Sequence, residues 1–154
     1  MRKFFFIRAQ IVGEYLGHRR ADVFFSARHA EQRLPLEDAT DAITARKAFV
    51  NAMARDISRF DLILTPVVPV LPFAANREGP DDIDGIAVGP NEWCPFTFPF
   101  NLTGQPAASI PCGMVEGLPV GLQIVGPHLG DAATLAAAAA FEEIRPAPRC
   151  EFSL

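Results

Sequence analysis

Lysine, histidine, tryptophan and tyrosine are all scarce in this 154-residue chain. Lys3 and Lys47 are its two lysines, Trp93 and Tyr15 its single indole and phenol, and His18, His29 and His128 its three imidazoles. Cysteine is equally sparse. Cys94, Cys112 and Cys150 are widely and irregularly spaced with no histidine cluster beside them, which excludes a zinc pattern by spacing, and an odd count without a signal peptide fits reduced thiols. The net charge of −4 comes without a basic cluster, so the cationic face expected of a nucleic-acid binder is missing. Long apolar runs are missing too. Phe4 to Ile7 is broken by Arg8, short of the about 7–15 residues of a secretory core, and nothing approaches the roughly 20 residues of a membrane span. Residues 1–154 therefore read as one cytoplasmic unit with no membrane segment, and an apolar content of 49% is ample for a core.

Proline is absent from residues 1–60 apart from Pro35, whereas residues 66–127 hold most of the proline and glycine. The first part is helical in character and the second is built of strands, turns and loops. Ile7, Ile11, Tyr15 and Leu16 predict a helix near 4–16, and Asp22 is placed to cap a short helix through Ala30. The strongest helix spans 36–60. Ile43, Val50, Met53, Ile57 and Phe60 form its apolar stripe, Arg46 and Lys47 lie mostly on other faces, and Pro35, Glu37 and Asp38 suit its first turn.

Asp61-Leu62-Ile63-Leu64-Thr65-Pro66 follows as a strand buried on both faces, after which Pro66, Pro69 and Pro72 are expected to end the ladder. Residues 73–95 form a long loop, and its Asp81-Asp82-Ile83-Asp84-Gly85 group lacks EF-hand ligand spacing and reads as a solvated acidic turn. A β-hairpin is expected near 107–125, from Ala107–Ile110 and Val120–Val125 with a turn at Gly113–Gly117. The last helix, near 131–145, has Asp131 as N-cap and Leu135, Phe141 and Ile144 for packing, and Pro146 and Pro148 stop it.

Groups that could carry chemistry are few. Ser26, Ser58, Ser109 and Ser153 sit in no glycine-flanked elbow, and Ser109 falls within a strand, as a packed serine would. Cys112 stands in Pro-Cys-Gly, which a small residue entering a hairpin explains as well as a thiol nucleophile does. No metal site or cofactor is implied. The aromatic group Trp93, Phe96, Phe98 and Phe100, interleaved with Pro95 and Pro99, has two readings. It lines a rigid apolar pocket, or it fills the core beneath the loop.

Several blocks, in order, resemble the amidase signature family of serine hydrolases. These are the helix and strand from Arg46 to Pro69, the segment Phe100-Asn101-Leu102-Thr103-Gly104-Gln105-Pro106-Ala107-Ala108-Ser109-Ile110-Pro111-Cys112-Gly113, and Gly117-Leu118-Pro119-Val120-Gly121-Leu122-Gln123-Ile124-Val125-Gly126-Pro127 before an alanine-rich helix. The likeness is strongest over 40–145. It implies an α/β fold, the C-terminal part of a mixed β-sheet flanked by helices, and amide hydrolysis through a Ser–cis-Ser–Lys triad. The family's Gly-Gly-Ser-Ser-Gly run and matching lysine are not found here, so no catalytic residue carries over. Trp93, Cys94, Phe96 and Phe98 are the candidates for one wall of the substrate pocket. Cys94 stands where the glutamine-using amidotransferase members place an aspartate for the substrate's amino group, so the likeness to general amidases of less polar amides is greater. The expected partners are a small amide substrate and an N-terminal amidase chain or a second copy. The alternatives are a non-enzymatic binding or regulatory module derived from an amidase, and one chain of a two-chain amidase.

Overall fold

In a computed structural model, residues 4–6, 36–89 and 93–147 are described. The elements are β1 (Phe4–Phe6), α1 (Leu36–Ile57), β2 (Leu62–Pro66), the short pair β3 (Asp82–Ile83) and β4 (Ile86–Ala87), α2 (Phe98–Thr103), β5 (Ala107–Val115), β6 (Leu118–Val125) and α3 (Asp131–Ile144). Four strands form one sheet in the order β1-β2-β6-β5. β1 runs parallel to β2, and the β2–β6 and β5–β6 pairs are antiparallel, so the sheet is mixed.

Strand parity builds the core. Ile63 pairs with Val125 and Leu64 with Ile124, so alternate residues of β2 and β6 share a face. On one face Ile63 and Val125 pack with Phe49, Met53 and Ile57 of α1 and with Phe100 of α2. On the other, Leu62 and Ile124 pack with Ile110 of β5 and Ala138 of α3. The sheet is thus covered on both sides, and β2 is buried on both faces as its apolar run predicts.

Several expectations change. Phe4–Phe6 is not the start of a helix. It is a strand beside Leu62–Leu64, where a run of β-favouring phenylalanines supplies β2 with a second neighbour. Residues 7–16, the helix proposed from Asp22 to Ala30, and Pro148 lie outside the described residues. The buried stripe of α1 is centred on Phe49, Met53 and Ile57, while Ile43 lies roughly 80° around the helix from that line and is 57% exposed. The helix stops at Ile57, so Phe60 falls in the turn beyond it, with its N–H donating to Ile57 O at 2.8 Å. Arg46 is on the packed side after all, and its Nε donates to the Leu102 carbonyl at 3.1 Å. Pro66 does not end the ladder, since it pairs with Leu122 and the Val67 N–H still donates to Gly121 O at 3.1 Å.

The hairpin is longer and its turn tighter than expected. Glu116 and Gly117 form a two-residue connection with φ values of 52° and 77°, the positive pair that matches the twist of the flanking strands. The N-cap of α3 is Gly130 and not Asp131, which occupies the first turn and complements the helix dipole there. Phe141 is half-buried against the core, whereas Leu135 and Ile144 are exposed. Small side chains set this packing, with Ala137 and Ala138 bringing the helix close to the sheet. The acidic loop is a turn, as expected. Asp82 Oδ1 accepts from Gly85 N at 3.1 Å, and Asp81 pairs with Arg77. Among the described residues, no helix is long and apolar enough to cross a membrane.

Gly126 is the tightest point between sheet and helix. A Cβ there would collide with Thr134 Oγ1, which is buried and held by its bond to Gly130 O at 3.0 Å. Gly126→Ala is expected to cost about 2 kcal/mol or more through overpacking, read as a lower urea midpoint. Gly117→Ala has open space around its Cβ and suffers only the left-handed φ, so it is expected to cost about 1 kcal/mol.

Candidate functional site

The segment before α2 is a folded turn held down by its own backbone. The Thr97 N–H and Oγ1 both donate to the Cys94 carbonyl, at 3.3 and 3.1 Å. Pro99 then sits in the first turn of α2, where its missing N–H costs nothing. Phe96 is buried beneath this turn and Phe100 enters the α1 core, while Phe98 is half-buried. Trp93 takes another direction. Its Nε1 donates to Glu78 O at 3.1 Å, and its ring meets Phe73 edge-to-face with centroids 5.2 Å apart.

The turn is fastened to the sheet by a residue that sequence reasoning overlooked. Gln123 of β6 is buried, and its Nε2 donates to Thr65 Oγ1 at 2.8 Å and to Phe96 O at 2.9 Å. Thr65 is the cross-strand partner of Gln123, so strand parity places both on the face that carries Ile63 and Val125. The signal was legible. Two polar side chains in otherwise apolar strand runs, each buried, require partners in each other or in backbone. A second glutamine does similar work nearby, for Gln105 Nε2 donates to Gly126 O at 3.0 Å and its Oε1 accepts from Thr103 Oγ1 at 3.0 Å.

Beside Trp93 lies an open apolar groove of about 790 Å³. One wall is Pro66 with residues 68–73, the other is the hairpin at Pro119–Leu122 with Cys112. Cys112 is the extra residue of a bulge, since Pro111 pairs with Gly121 and Gly113 with Val120. Of the four pocket-wall residues expected from the sequence, Trp93 lines this groove. Phe96 and Phe98 belong to the turn that Gln123 holds. Cys94 lies in that turn as well, and burial pushes its thiol above the ordinary cysteine range, so it carries its proton at neutral pH. Neither Cys94 nor Cys112 forms a disulfide. Ser109 lies in β5 but is exposed, not packed, and Ser58 Oγ donates to Arg55 O at 2.7 Å at the end of α1. His128 is exposed, and His18, His29, Ser26, Ser153, Cys150 and Lys3 lie outside the described residues.

The sequence model of the Amidase family matches residues 1–135. The chain belongs to the amidase family. Among curated amidase relatives, the glutamyl-tRNA(Gln) amidotransferase A subunit 2 of Clostridium acetobutylicum is 38% identical over 105 residues, covering 68% of this chain and 21% of the relative. This amidase chain therefore spans about a fifth of that relative's length. A bacterial aryl acylamidase of the amidase signature family superposes with a TM-score of 0.70 at 31% identity, over 84% of this chain and 28% of that one. The glutamyl-tRNA(Gln) amidotransferase A subunit of Thermotoga maritima gives 0.64 at 28% identity, over 92% and 31%. The mixed α/β architecture is that of the C-terminal part of the amidase signature fold, as the sequence motifs imply.

Replacing Gln123 by methionine keeps the volume and removes both bonds, leaving Phe96 O and Thr65 Oγ1 buried without that donor. A loss of about 3 kcal/mol is expected in urea unfolding, together with a shift in Trp93 emission. Gln105→Met, at a half-buried site, should cost less than half as much.

Proposed function

We propose that this chain supplies part of an amide-hydrolysing enzyme, namely its C-terminal sheet strands and one wall of the substrate pocket, while the catalytic groups come from amidase sequence beyond these 154 residues. The observation that carries this reading is the turn from Trp93 to Phe98, which holds the pocket-wall candidates and is anchored to the sheet by Gln123. Such an anchor is what a pocket wall needs, because a wall that drifts by an ångström loses most of its positioning value.

The substrate is an uncharged amide of low polarity. The family resemblance implies that Cys94 replaces an aspartate of the glutamine-using amidotransferases, and a protonated thiol offers no charge to a substrate ammonium. The aryl acylamidase among the structural relatives is in keeping with this reading, although the amidotransferase relatives share as much of the fold. The proposed partner is a polypeptide segment bearing the Ser–cis-Ser–Lys triad, in the same or a separate chain. Support for a covering partner comes from β5, an edge strand among the described strands, and from Leu135 and Ile144, which are 66% and 86% exposed.

The test is an amidase assay on the 154-residue chain alone and after co-expression with the polypeptide encoded upstream. The chain alone should leave a neutral amide intact, and the co-expressed pair should turn it over. Enzyme-like turnover by the chain alone, or none from the pair, would contradict the proposal.

A further inference from the structure

The turn at Asp81–Gly85 takes no part in the main sheet or the groove. Its strands β3 and β4 pair with each other, and Asp84 and Gly85 form the two-residue connection between Ile83 and Ile86. Asp84 is the one aspartate of the chain followed by glycine, and no asparagine precedes a glycine. An aspartyl–glycyl pair needs no ligand to react, because both partners of a ring closure are already in the chain. Glycine hinders that closure least, and nothing lies within 4 Å of where a Cβ on Gly85 would stand. Both residues are exposed, so water reaches them.

The reaction balances with water alone. The Gly85 nitrogen gives up its proton and attacks Asp84 Cγ. The N–Cγ bond forms, the Cγ–OH bond breaks, and hydroxide leaves with the amide proton as water. Water then opens the succinimide. Attack at Cγ restores aspartate, while attack at the main-chain carbonyl carbon of Asp84 gives an isoaspartyl linkage, in which the chain runs through Cβ and Cγ.

The folded turn opposes this in two ways. The φ values of Asp84 and Gly85 are 55° and 78°, those of a type I′ turn. In such a turn ψ of Asp84 is about 30°, which sets the Gly85 nitrogen roughly 150° around the Cα–C bond from Cβ, whereas ring closure needs the two nearly eclipsed. The Gly85 N–H also donates to Asp82 Oδ1 at 3.1 Å. A carboxylate there holds the peptide in place and disfavours a negative nitrogen beside it.

We propose that Asp84–Gly85 is a self-modification site that isomerises when the β3–β4 turn opens, and that Asp82 is the residue restraining it. The product reshapes the turn. One added main-chain atom takes Asp82 and Ile83 out of register with Ala87 and Ile86, and the Val88 N–H loses Asp81 O, its partner at 3.1 Å. None of this depends on amidase activity.

The experiment incubates the 154-residue chain in neutral buffer and follows isoaspartate at residue 84 by electron-transfer fragmentation. A synthetic peptide of residues 79–89 serves as the unfolded reference. The folded chain should isomerise at least tenfold more slowly than the peptide. Asp82→Ala should raise the chain's rate at least fivefold and leave the peptide's rate unchanged, since the bond exists only in the folded turn. Asp81→Ala removes the ion pair with Arg77 but keeps the Gly85 bond, and should change the chain's rate less than twofold. In the isoaspartyl fraction the Val88 amide should exchange at least tenfold faster, with Gly126 unchanged. A folded chain as fast as the peptide, an Asp82→Ala chain no faster than the parent, or an equal acceleration in the peptide would overturn the proposal.

Discussion

Gln123 projects from the middle of an apolar strand and puts both hydrogens of its amide to use. One goes to Thr65 across the sheet, the other to the carbonyl of Phe96 in the turn above it. Inside a core, each of these groups would cost about 1–3 kcal/mol if left without a partner. The arrangement is therefore close to all-or-none. It fixes the turn at one height over the sheet, and that height decides where Phe96 is buried and where α2 begins. Arg46 closes the far end by donating to Leu102 O, so α2 is tied to the sheet on one side and to α1 on the other.

The groove follows from the same frame. β2 and β6 stay paired through Pro66 and Val67, which aims the proline-rich segment along the hairpin. The bulge at Cys112 adds a residue on the β5 side, and Trp93 closes the loop by bonding Glu78. Apolar contact supplies most of the stability here and hydrogen bonds supply the placement.

Much of this was legible in the residues, and the parts that were not have identifiable reasons. The strand at Leu62–Leu64, the hairpin and the last helix follow from apolar runs bounded by proline and glycine. The family motifs identified both the family and the fold. Phe4–Phe6 was misread because a three-residue strand has no period of its own and declares itself only through its neighbour β2. The stripe of α1 was misplaced because Phe49 and Val50 both fit a helical period, and the choice between them is made by Ile63 and Phe100 on other elements. Ladder pairing of Pro66 was missed because proline's lost donor is tolerated where no neighbouring strand requires it; among the described residues, β1 pairs with Leu62–Leu64 and not with Pro66. In the site, Trp93 was recognisable as an aromatic among prolines. The Gln123 anchor was not, because its partners stand 27 residues away at Phe96 and 58 away at Thr65, and only the folded chain brings them together.

One buried amide, that of Gln123, locally fastens the turn before α2 to the sheet. Residue-resolved hydrogen exchange on the chain and its Gln123→Met variant tests it most directly. The account predicts that the amides of Thr97, Phe100 and Asn101, which bond within the turn and into α2, exchange at least tenfold faster in the variant. The amides of Gly126 and Thr134, bonded to Pro106 O and Gly130 O outside the turn, should lose distinctly less protection than those three. Uniform loss across all five amides, or no change at Thr97 and Phe100, would contradict it.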